Sequence, residues 1–212
     1  MNKYDKALRY EIFDGWEYWF LDDIIKKSEI IFDVWWHLWY FTEYCLSLNQ
    51  DLWIHFFEPV KEFLDEAKNN IRHTNISWNN SAIMNKNWLH HFFINQEKSM
   101  QSSIFNQTFL NPEWSTTKVI IERLDDYIDN RKFNKIHLIK MDIEWSEFDV
   151  IQSLSHKHLN MIENICIEYH IFDSNFEKKF NLMLDKLKKT YKKVDIMPGK
   201  YTDKVWYIFA SK

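Results

Sequence analysis

The chain has 212 residues, a formal net charge of −4 and 46% hydrophobic residues, which fits a single domain with a full hydrophobic core. The mild acidity gives no reason to expect nucleic acid or an anionic membrane as a partner, and no apolar run approaches the roughly 20 residues that span a bilayer. Charges interrupt residues 1–13, so we expect no signal peptide. Cys45 and Cys166 form no metal or redox motif, and a reducing, cytoplasmic setting is the simplest interpretation.

The glycine and tryptophan contents are abnormal, because the chain has 2 Gly and 11 Trp. A domain of this size ordinarily carries about 7% Gly, or roughly 15 residues. Tight turns and ligand-facing loops need residues that tolerate positive φ, which glycine supplies without steric cost. Two glycines are therefore too few for an α/β domain with about a dozen connections.

The first half of the chain alternates between strand and helix patterns. Residues 1–28 are amphipathic, and we expect them to form a partly helical cap segment before a main domain at residues 29–212. Hydrophobic periodicity then predicts strands at 29–34, 52–57, 75–84 and 89–94, and helices at 40–48 and 60–71.

The second half continues the alternation and ends in two strands. The patterns predict strands at 118–122, 136–143, 162–169, 193–197 and 205–210, and helices at 124–128, 146–154 and 176–189. The last two strands are joined by a short loop that leaves no room for a crossover helix, so they should pair antiparallel. The alternation predicts an α/β fold, with a mostly parallel sheet and helices on both faces.

Acidic residues recur at the predicted strand ends, where ligands bind in an open α/β sheet. These residues, with one histidine, are Asp33, Glu58, Asp142, Glu144, Glu168 and His170. Strand ends also carry polar residues simply because they meet solvent, so any single acid is ambiguous. Four strands that each bring an acid to the same edge favour a binding site.

Two segments become recognisable when Gly is substituted for Trp. Residues 33–42 (DVWWHLWYFT) then read D-V-G-G-H-L-G-Y-F-T, and residues 140–147 (KMDIEWSE) read K-M-D-I-E-G-S-E. The first resembles the S-adenosylmethionine loop of FkbM-type methyltransferases, D-V-G-A-N-x-G-x-x-T, and the second resembles that family's K-x-D-x-E-G-x-E signature. Residues 57–59 match the family's F-E-P without substitution. The resemblance extends over roughly residues 29–170.

The resemblance implies a Rossmann-like three-layer sandwich, with a mostly parallel seven-stranded sheet and a C-terminal antiparallel strand pair, and S-adenosylmethionine as cofactor. It places the first strand-to-helix turn against the cofactor, through Asp33, Trp35, Trp36, His37, Trp39 and Thr42. Glu58 should accept hydrogen bonds from the ribose hydroxyls. Ser81 and Ala82 should lie near the adenine, and Asp142 beside the methionine part. His37 replaces the Asn that is common in the family loop.

The reaction implied is O-methylation of a small hydroxylated acceptor, such as a sugar of a glycan or a natural-product-like alcohol. The enzyme must align the acceptor and remove its proton. Glu144, Glu168 and His170 are the candidate bases or acceptor-holding groups; a hydrogen-bonded structural role for His170 is an equal alternative. We expect acceptor contacts in residues 86–118, where the pattern is least regular. The sequence leaves the oligomeric state open.

We hypothesise that most of the tryptophans stand where the gene encodes glycine, because UGA encodes Trp in some genetic codes and Gly in at least one other. The 2 Gly and 11 Trp would together give about 6% of 212 residues, an ordinary glycine content. Indoles at positions 35 and 39 would otherwise occupy space that the cofactor needs. The alternative is a truly Trp-rich protein that uses indoles in its core or interfaces; UGG at codons 35, 39 and 145 would establish it.

Two other functions remain compatible with the residues. A nicotinamide-dependent oxidoreductase would suit the glycine-substituted loop and Glu58, although the K-x-D-x-E-G signature and the terminal strand pair argue against it. A non-catalytic binding domain would suit real tryptophans that close the pocket. The histidines at 90–91, 156 and 158 lack the pattern of a metal site, so no metal is expected.

Overall fold

The computed structural model describes residues 3–15, 17–35, 39–95, 114–143, 146–170, 176–199 and 205–212. Its centre is a seven-stranded sheet in the order β3-β2-β1-β7-β8-β10-β9. The pairs β1–β2, β2–β3, β1–β7 and β7–β8 are parallel, whereas β10 runs antiparallel to both β8 and β9. The predicted Rossmann-like α/β fold with a C-terminal antiparallel pair is confirmed.

The elements follow the predicted alternation closely. The strands are β1 (Ile30–Trp35), β2 (Trp53–Phe57), β3 (Ile76–Asn79), β4 (Ala82–Met84), β5 (Trp88–Asn95), β6 (Trp114–Arg123), β7 (Ile136–Asp142), β8 (Ile162–His170), β9 (Lys193–Pro198) and β10 (Val205–Ser211). The helices are α1 (Lys3–Phe13), α2 (Asp22–Lys27), α3 (Tyr40–Leu48), α4 (Lys61–Asn70), α5 (Leu124–Arg131), α6 (Glu147–Ser153), α7 (His156–Met161) and α8 (Phe176–Lys188), with a 3₁₀ turn at Trp19–Leu21. Within the described ranges, no helix is both long and apolar enough to cross a membrane.

A second, three-stranded sheet lies beside the first in the order β4-β6-β5. The single strand predicted over residues 75–84 was therefore wrong, because Asn80 and Ser81 separate β3 in the large sheet from β4 in the small one. The amide of Asn80 bonds to the main chain of the β2–α4 connection instead of continuing a ladder. Helix α7 was also missed; its N-cap Ser155 accepts a hydrogen bond from the main-chain N–H of His158.

Buried side chains pack on both faces of the large sheet, as expected of a sheet covered by helices. All seven residues of β7 are buried, including the polar His137, Lys140 and Asp142 that stand among its apolar residues. The N-terminal segment contributes Ile12, Tyr18, Leu21 and Ile25, each at most 1% exposed, to the hydrophobic cluster on one of these faces. The face that this segment covers also carries the polar residues of the candidate site.

Candidate active site

The strand register brings the predicted acids of three strands to one face of the sheet. Asp33 on β1 lies beside Lys140 on β7, which lies beside Cys166 on β8. Side chains two residues apart in a strand point to the same face. Asp142 and Glu168 therefore share the face of Asp33 and lie one step nearer the carboxyl ends of their strands. Sequence reasoning placed these acids at one edge, and the register does bring them together.

Asp33 is fully buried and only partly satisfied. Its Oδ2 accepts a hydrogen bond from Thr42 Oγ1 at 2.5 Å, which joins β1 to the first turn of α3. Its Oδ1 is buried with no hydrogen-bond partner among the described residues. Burial raises the pKa of Asp33 to about 6, although Lys140 and the Thr42 hydroxyl oppose the rise. Burial disfavours the charged form of this carboxyl group, and an incoming cation or hydrogen-bond donor would stabilise that form.

Lys140 is a buried cation at the centre of this face. Its side chain is fully buried, and Nζ lies 3.1 Å from Asp142 Oδ2. The same Nζ lies 5.6 Å from the ring centroid of Tyr18 and 6.0 Å from that of Phe41, within the range of cation–π attraction. The predicted signature included Lys140 but gave it no role. The structure shows that it balances the charge of Asp142 and moderates that of Asp33.

Glu58 follows β2 and turns back onto the start of α4. Its Oε1 accepts a hydrogen bond from the Val60 main-chain N–H at 2.7 Å, whereas Oε2 is buried and has no partner among the described residues. Burial raises the pKa of Glu58 well above its usual range, the Val60 N–H opposes this, and Asp33 adds to it. Glu58 therefore presents one unsatisfied carboxyl oxygen at the strand end where the sequence predicted ribose contact.

Of the two residues predicted to lie near the adenine, one lines a cavity and the other belongs to the hydrophobic core. Ser81 lines a cavity of about 520 Å³ and donates a hydrogen bond from Oγ to Glu122 Oε2 at 3.2 Å. Ala82 is fully buried in the hydrophobic cluster of the opposite face, where it begins β4. Glu122 is half-buried, and its burial raises its pKa. Of the two predicted residues, Ser81 alone lines this cavity.

Glu147, the last residue of the K-x-D-x-E-G-x-E match, was given no role in the sequence analysis and is buried next to the end of β7. Glu147 is 1% exposed, and its Oε1 accepts a hydrogen bond from the main-chain N–H of Ile143 at 3.2 Å. This contact ties the end of β7 to the first residue of α6. Ser146 is 1% exposed, and its Oγ lacks a partner among the described residues. Glu144, which was predicted to be catalytic, lies outside the described residues, as does Trp145.

The end of β8 is joined to the N-terminal segment by two tyrosine–glutamate contacts. Tyr18, which is fully buried, donates a hydrogen bond from its hydroxyl to Glu168 Oε2 at 3.1 Å. On the neighbouring strand, the hydroxyl of Tyr207 donates to Glu17, and the Tyr18 and Tyr207 rings meet edge to face. Glu168 is partly exposed, so this group opens to solvent at the strand end. His170 ends β8 two residues further on.

The first strand-to-helix turn is described in part. Trp35 ends β1, and Trp39 immediately precedes α3. The indole of Trp39 is 7% exposed and packs in the hydrophobic cluster near Tyr40, at 5.5 Å between ring centroids. Trp36 and His37 were predicted to bind the cofactor and lie outside the described residues.

The tryptophans with described side chains contribute little to the core. Trp19 is 59% exposed and Trp53 is 48% exposed, whereas Trp78 and Trp206 are partly exposed. Among the five tryptophans whose side chains are described, Trp39 alone is therefore buried. This distribution is unlike that of a protein that uses tryptophan to build its interior.

The buried atoms without partners fit a polar nucleoside ligand. Asp33 Oδ1, Glu58 Oε2 and Ser146 Oγ lie at or just beyond the carboxyl ends of β1, β2 and β7. A buried polar group left without a partner costs about 1–3 kcal/mol. A ligand that formed hydrogen bonds with these atoms would remove that cost. Two acids and a hydroxyl suit the hydroxyls and ammonium group of S-adenosylmethionine.

Comparisons with known proteins agree with this geometry. A family model described as "Methyltransferase FkbM domain" matches residues 32–193, about three quarters of the chain. A search of curated proteins finds no match.

Two solved structures are similar to this chain in fold. An S-adenosylmethionine-dependent O-methyltransferase from Thermotoga maritima has 11% sequence identity and a TM-score of 0.51, over 97% of this chain and 71% of that one. A fibrillarin pre-rRNA processing protein from Methanococcus jannaschii has 11% identity and a TM-score of 0.50, over 88% of this chain and 68% of that one. At this identity the likeness concerns the fold, and the family follows from the family match. The chain belongs to the FkbM methyltransferase family and is an S-adenosylmethionine-dependent methyltransferase.

Proposed function

We propose that this methyltransferase transfers the methyl group to the hydroxyl of a small acceptor, a sugar of a glycan or a natural-product-like alcohol. The observation that supports its cofactor side is a set of buried oxygens on Asp33, Glu58 and Ser146 that have no partner among the described residues. The hydroxylated acceptor is what the resemblance to FkbM-type methyltransferases implies. Bound S-adenosylmethionine would supply an electrophilic methyl group through its sulfonium. The protein must then bind, align and deprotonate a hydroxyl.

The cofactor side of the site is assigned to strands β1, β2 and β7. We assign Glu58 to the ribose hydroxyls, because it follows the second strand, where an acidic residue binds the ribose in such sheets. Its Oε2 has no partner among the described residues. Asp33 and Asp142 would face the positively charged methionine end, with Thr42 fixing the orientation of Asp33. Ser81 would lie near the adenine, beside the cavity that it lines. The turn residues at 35–37 and 39 would provide main-chain contacts.

The acceptor side is assigned to the carboxyl end of β8 and the loop after β7. Glu168 is the described candidate for holding or deprotonating the acceptor, since it is partly exposed and its Oε2 is fixed by Tyr18. Glu144 and His170 remain the other candidates. Histidine titrates nearest neutrality among these residue types, which suits a general base.

Two further assignments complete the proposal. We propose residues 1–28 as a cap segment and residues 29–212 as the catalytic domain; the hydrogen bond from Tyr18 to Glu168 supports a place for the cap beside the proposed acceptor site. We also propose a cytoplasmic protein, because its two cysteines are buried and unbridged. Its partner would be the small-molecule or glycan acceptor.

Binding titrations test the cofactor assignment directly. The chain and its Trp35→Gly/Trp39→Gly/Trp145→Gly variant are titrated calorimetrically with S-adenosylmethionine, S-adenosylhomocysteine and NAD. We expect both adenosyl ligands, and not NAD, to bind, with tighter binding in the glycine variant because small residues let the main chain approach the ligand. Binding of NAD alone would favour an oxidoreductase. Binding of none of the three by either form would favour a non-catalytic domain and refute the proposal.

The acceptor class is tested by product analysis. The better-binding form is incubated with isotopically methyl-labelled S-adenosylmethionine and matched pairs of acceptors, each pair a polyhydroxylated sugar or alcohol and its amino analogue. Mass spectrometry should find label on the hydroxylated members, as methyl ethers. Label found on the amino members alone would contradict O-methylation while leaving methyl transfer intact.

A further inference from the structure

The main chain of Glu58 is held on both sides by two successive asparagines. Its N–H donates to the Asn79 main-chain oxygen at 3.0 Å, which continues the β2–β3 ladder by one residue. Its own carbonyl accepts a hydrogen bond from Asn80 Nδ2 at 3.0 Å, and the same amide donates to Pro59 O at 2.9 Å. The residue proposed to bind ribose is therefore fixed beyond the end of its strand, where a ladder would ordinarily stop.

Asn79 is in turn fixed by buried polar contacts. Its Nδ2 donates to Phe56 O at 3.0 Å and to Ser77 O at 2.9 Å. Its Oδ1 accepts from the hydroxyl of Tyr127 at 3.1 Å, and the same hydroxyl lies 2.7 Å from His55 Nδ1. Since the Tyr127 proton is directed to Asn79, His55 must donate from Nδ1. Burial lowers the pKa of His55 to about 4, which keeps this ring neutral.

These contacts form a continuous chain from the side chain of His55, in the middle of β2, to the main chain of Glu58. Each member has one orientation that satisfies its donors and acceptors, so the chain has little freedom to rearrange. The carboxyl itself is anchored by a single bond, from Val60 N to Oε1. The direction of the unpartnered Oε2 therefore depends on where the main chain of Glu58 is held.

We propose that Asn80, supported by Asn79, is a positioning residue that sets Glu58 for recognition of the ribose hydroxyls. The proposal rests on the assignment of Glu58 to ribose made above. Asn80 acts through the Glu58 carbonyl, so it should govern how well the enzyme distinguishes a ribose from a sugar without hydroxyls. A residue that merely stabilised the fold would weaken every nucleoside ligand to the same extent.

Asn80 can be changed with little risk to folding, because it is an exposed residue outside any strand. The test variant is Asn80→Ala, measured in whichever form of the protein binds best. Asn70→Ala is the matched control: Asn70 is also exposed, and its Nδ2 donates to a main-chain oxygen, Glu66 O, at 2.8 Å at the far end of α4. Both variants should melt at similar temperatures.

The probes are S-adenosylhomocysteine and its analogue that lacks both ribose hydroxyls, titrated by calorimetry. The unsubstituted protein should prefer S-adenosylhomocysteine. Asn80→Ala should bind it roughly tenfold more weakly, about the effect of one hydrogen bond to a carboxyl group, with no loss for the analogue, so that the preference collapses. Asn70→Ala should keep the full preference.

Three results would count against these assignments. If Asn80→Ala weakens both ligands equally, Asn80 contacts the base or supports the fold, and the positioning role is wrong. If Asn80→Ala keeps the full preference, the role is also wrong, while the ribose assignment of Glu58 stands. If the unsubstituted protein binds both ligands equally well, the ribose assignment of Glu58 itself fails.

Discussion

The buried carboxyl of Asp33 should make the stability of the protein depend on pH in a direction opposite to that of an ordinary salt-bridged acid. Burial raises its pKa from 3.8 to about 6. The native state therefore holds a proton that the unfolded state has already lost between these two values. Stability from this group is fully present below about pH 3.8 and is lost as the pH rises through 6. The whole loss corresponds to about 3 kcal/mol.

The perturbation is Asp33→Asn, which removes the titration and can keep the contact from Thr42 Oγ1 through the asparagine oxygen. Other titrating groups cancel when the free energy of unfolding is compared between the variant and the parent at each pH. From pH 5 to pH 7.5 the variant should gain about 1.4 kcal/mol relative to the parent, because pH 5 lies one unit below the pKa. This equals roughly 3–6 °C in melting temperature for a domain of this size.

Urea unfolding at several pH values, followed by circular dichroism, measures the effect. Asp65→Asn is the control, because Asp65 is an exposed acid on α4 that is paired with Lys61, and its removal should leave the relative stability flat. The free energy of unfolding of Asp33→Asn minus that of the parent should increase as the pH rises. If this difference stays constant or decreases, the raised pKa of Asp33 is refuted. If Asp33 faces the positively charged methionine end as proposed, the variant should also bind S-adenosylmethionine more weakly, because it loses that negative charge.

Two further substitutions test the buried contacts around this site. Lys140→Met should lower the free energy of unfolding by about 3–5 kcal/mol, because a buried carboxylate would lose its cation. Lys61→Met, which breaks an exposed ion pair, is the control and should cost about 1 kcal/mol or less. If urea unfolding shows similar losses for the two variants, the role given to Lys140 is wrong. Tyr18→Phe keeps the ring but removes the donor to Glu168, so we expect a loss of about 1–2 kcal/mol. Tyr10→Phe, at a 60% exposed ring, should have no measurable effect in the same assay, and equal effects would count against the contact.

The order of the elements could be predicted because the hydrophobic pattern of each one is strong. The run at 136–143 was recognised as a buried strand despite Lys140, since the residues around that lysine are apolar and rich in β-formers. The antiparallel ending followed from the short loop between its two strands. The division at Asn80–Ser81 was missed because periodicity continues across it, and the break depends on an asparagine amide that bonds to another part of the chain.

The residues of the candidate site could be predicted where they depend on position along a strand, and were missed where they depend on distant contacts. Asp33, Glu58 and Asp142 follow from the rule that ligands bind at the carboxyl ends of parallel strands. The contact from Tyr18 to Glu168 joins residues 150 positions apart in the sequence, and no local pattern marks either member as a partner. Asn79 and Asn80 likewise lie inside the strand predicted over residues 75–84, and nothing in the sequence marks them as partners of Glu58 until the ladder of β2 and β3 is known.

The packing of the N-terminal segment also bears on how a shortened protein would behave. The family match begins at residue 32, yet the rings and branches of Tyr18, Leu21 and Ile25 are fully enclosed. A fragment that began at residue 32 would expose an apolar face of the sheet next to a lysine and several carboxyl groups. This exposure would cost about 1.5–3 kcal/mol for each large apolar side chain left uncovered. We expect such a fragment to aggregate on expression. A soluble catalytic fragment would have to start before the 3₁₀ turn.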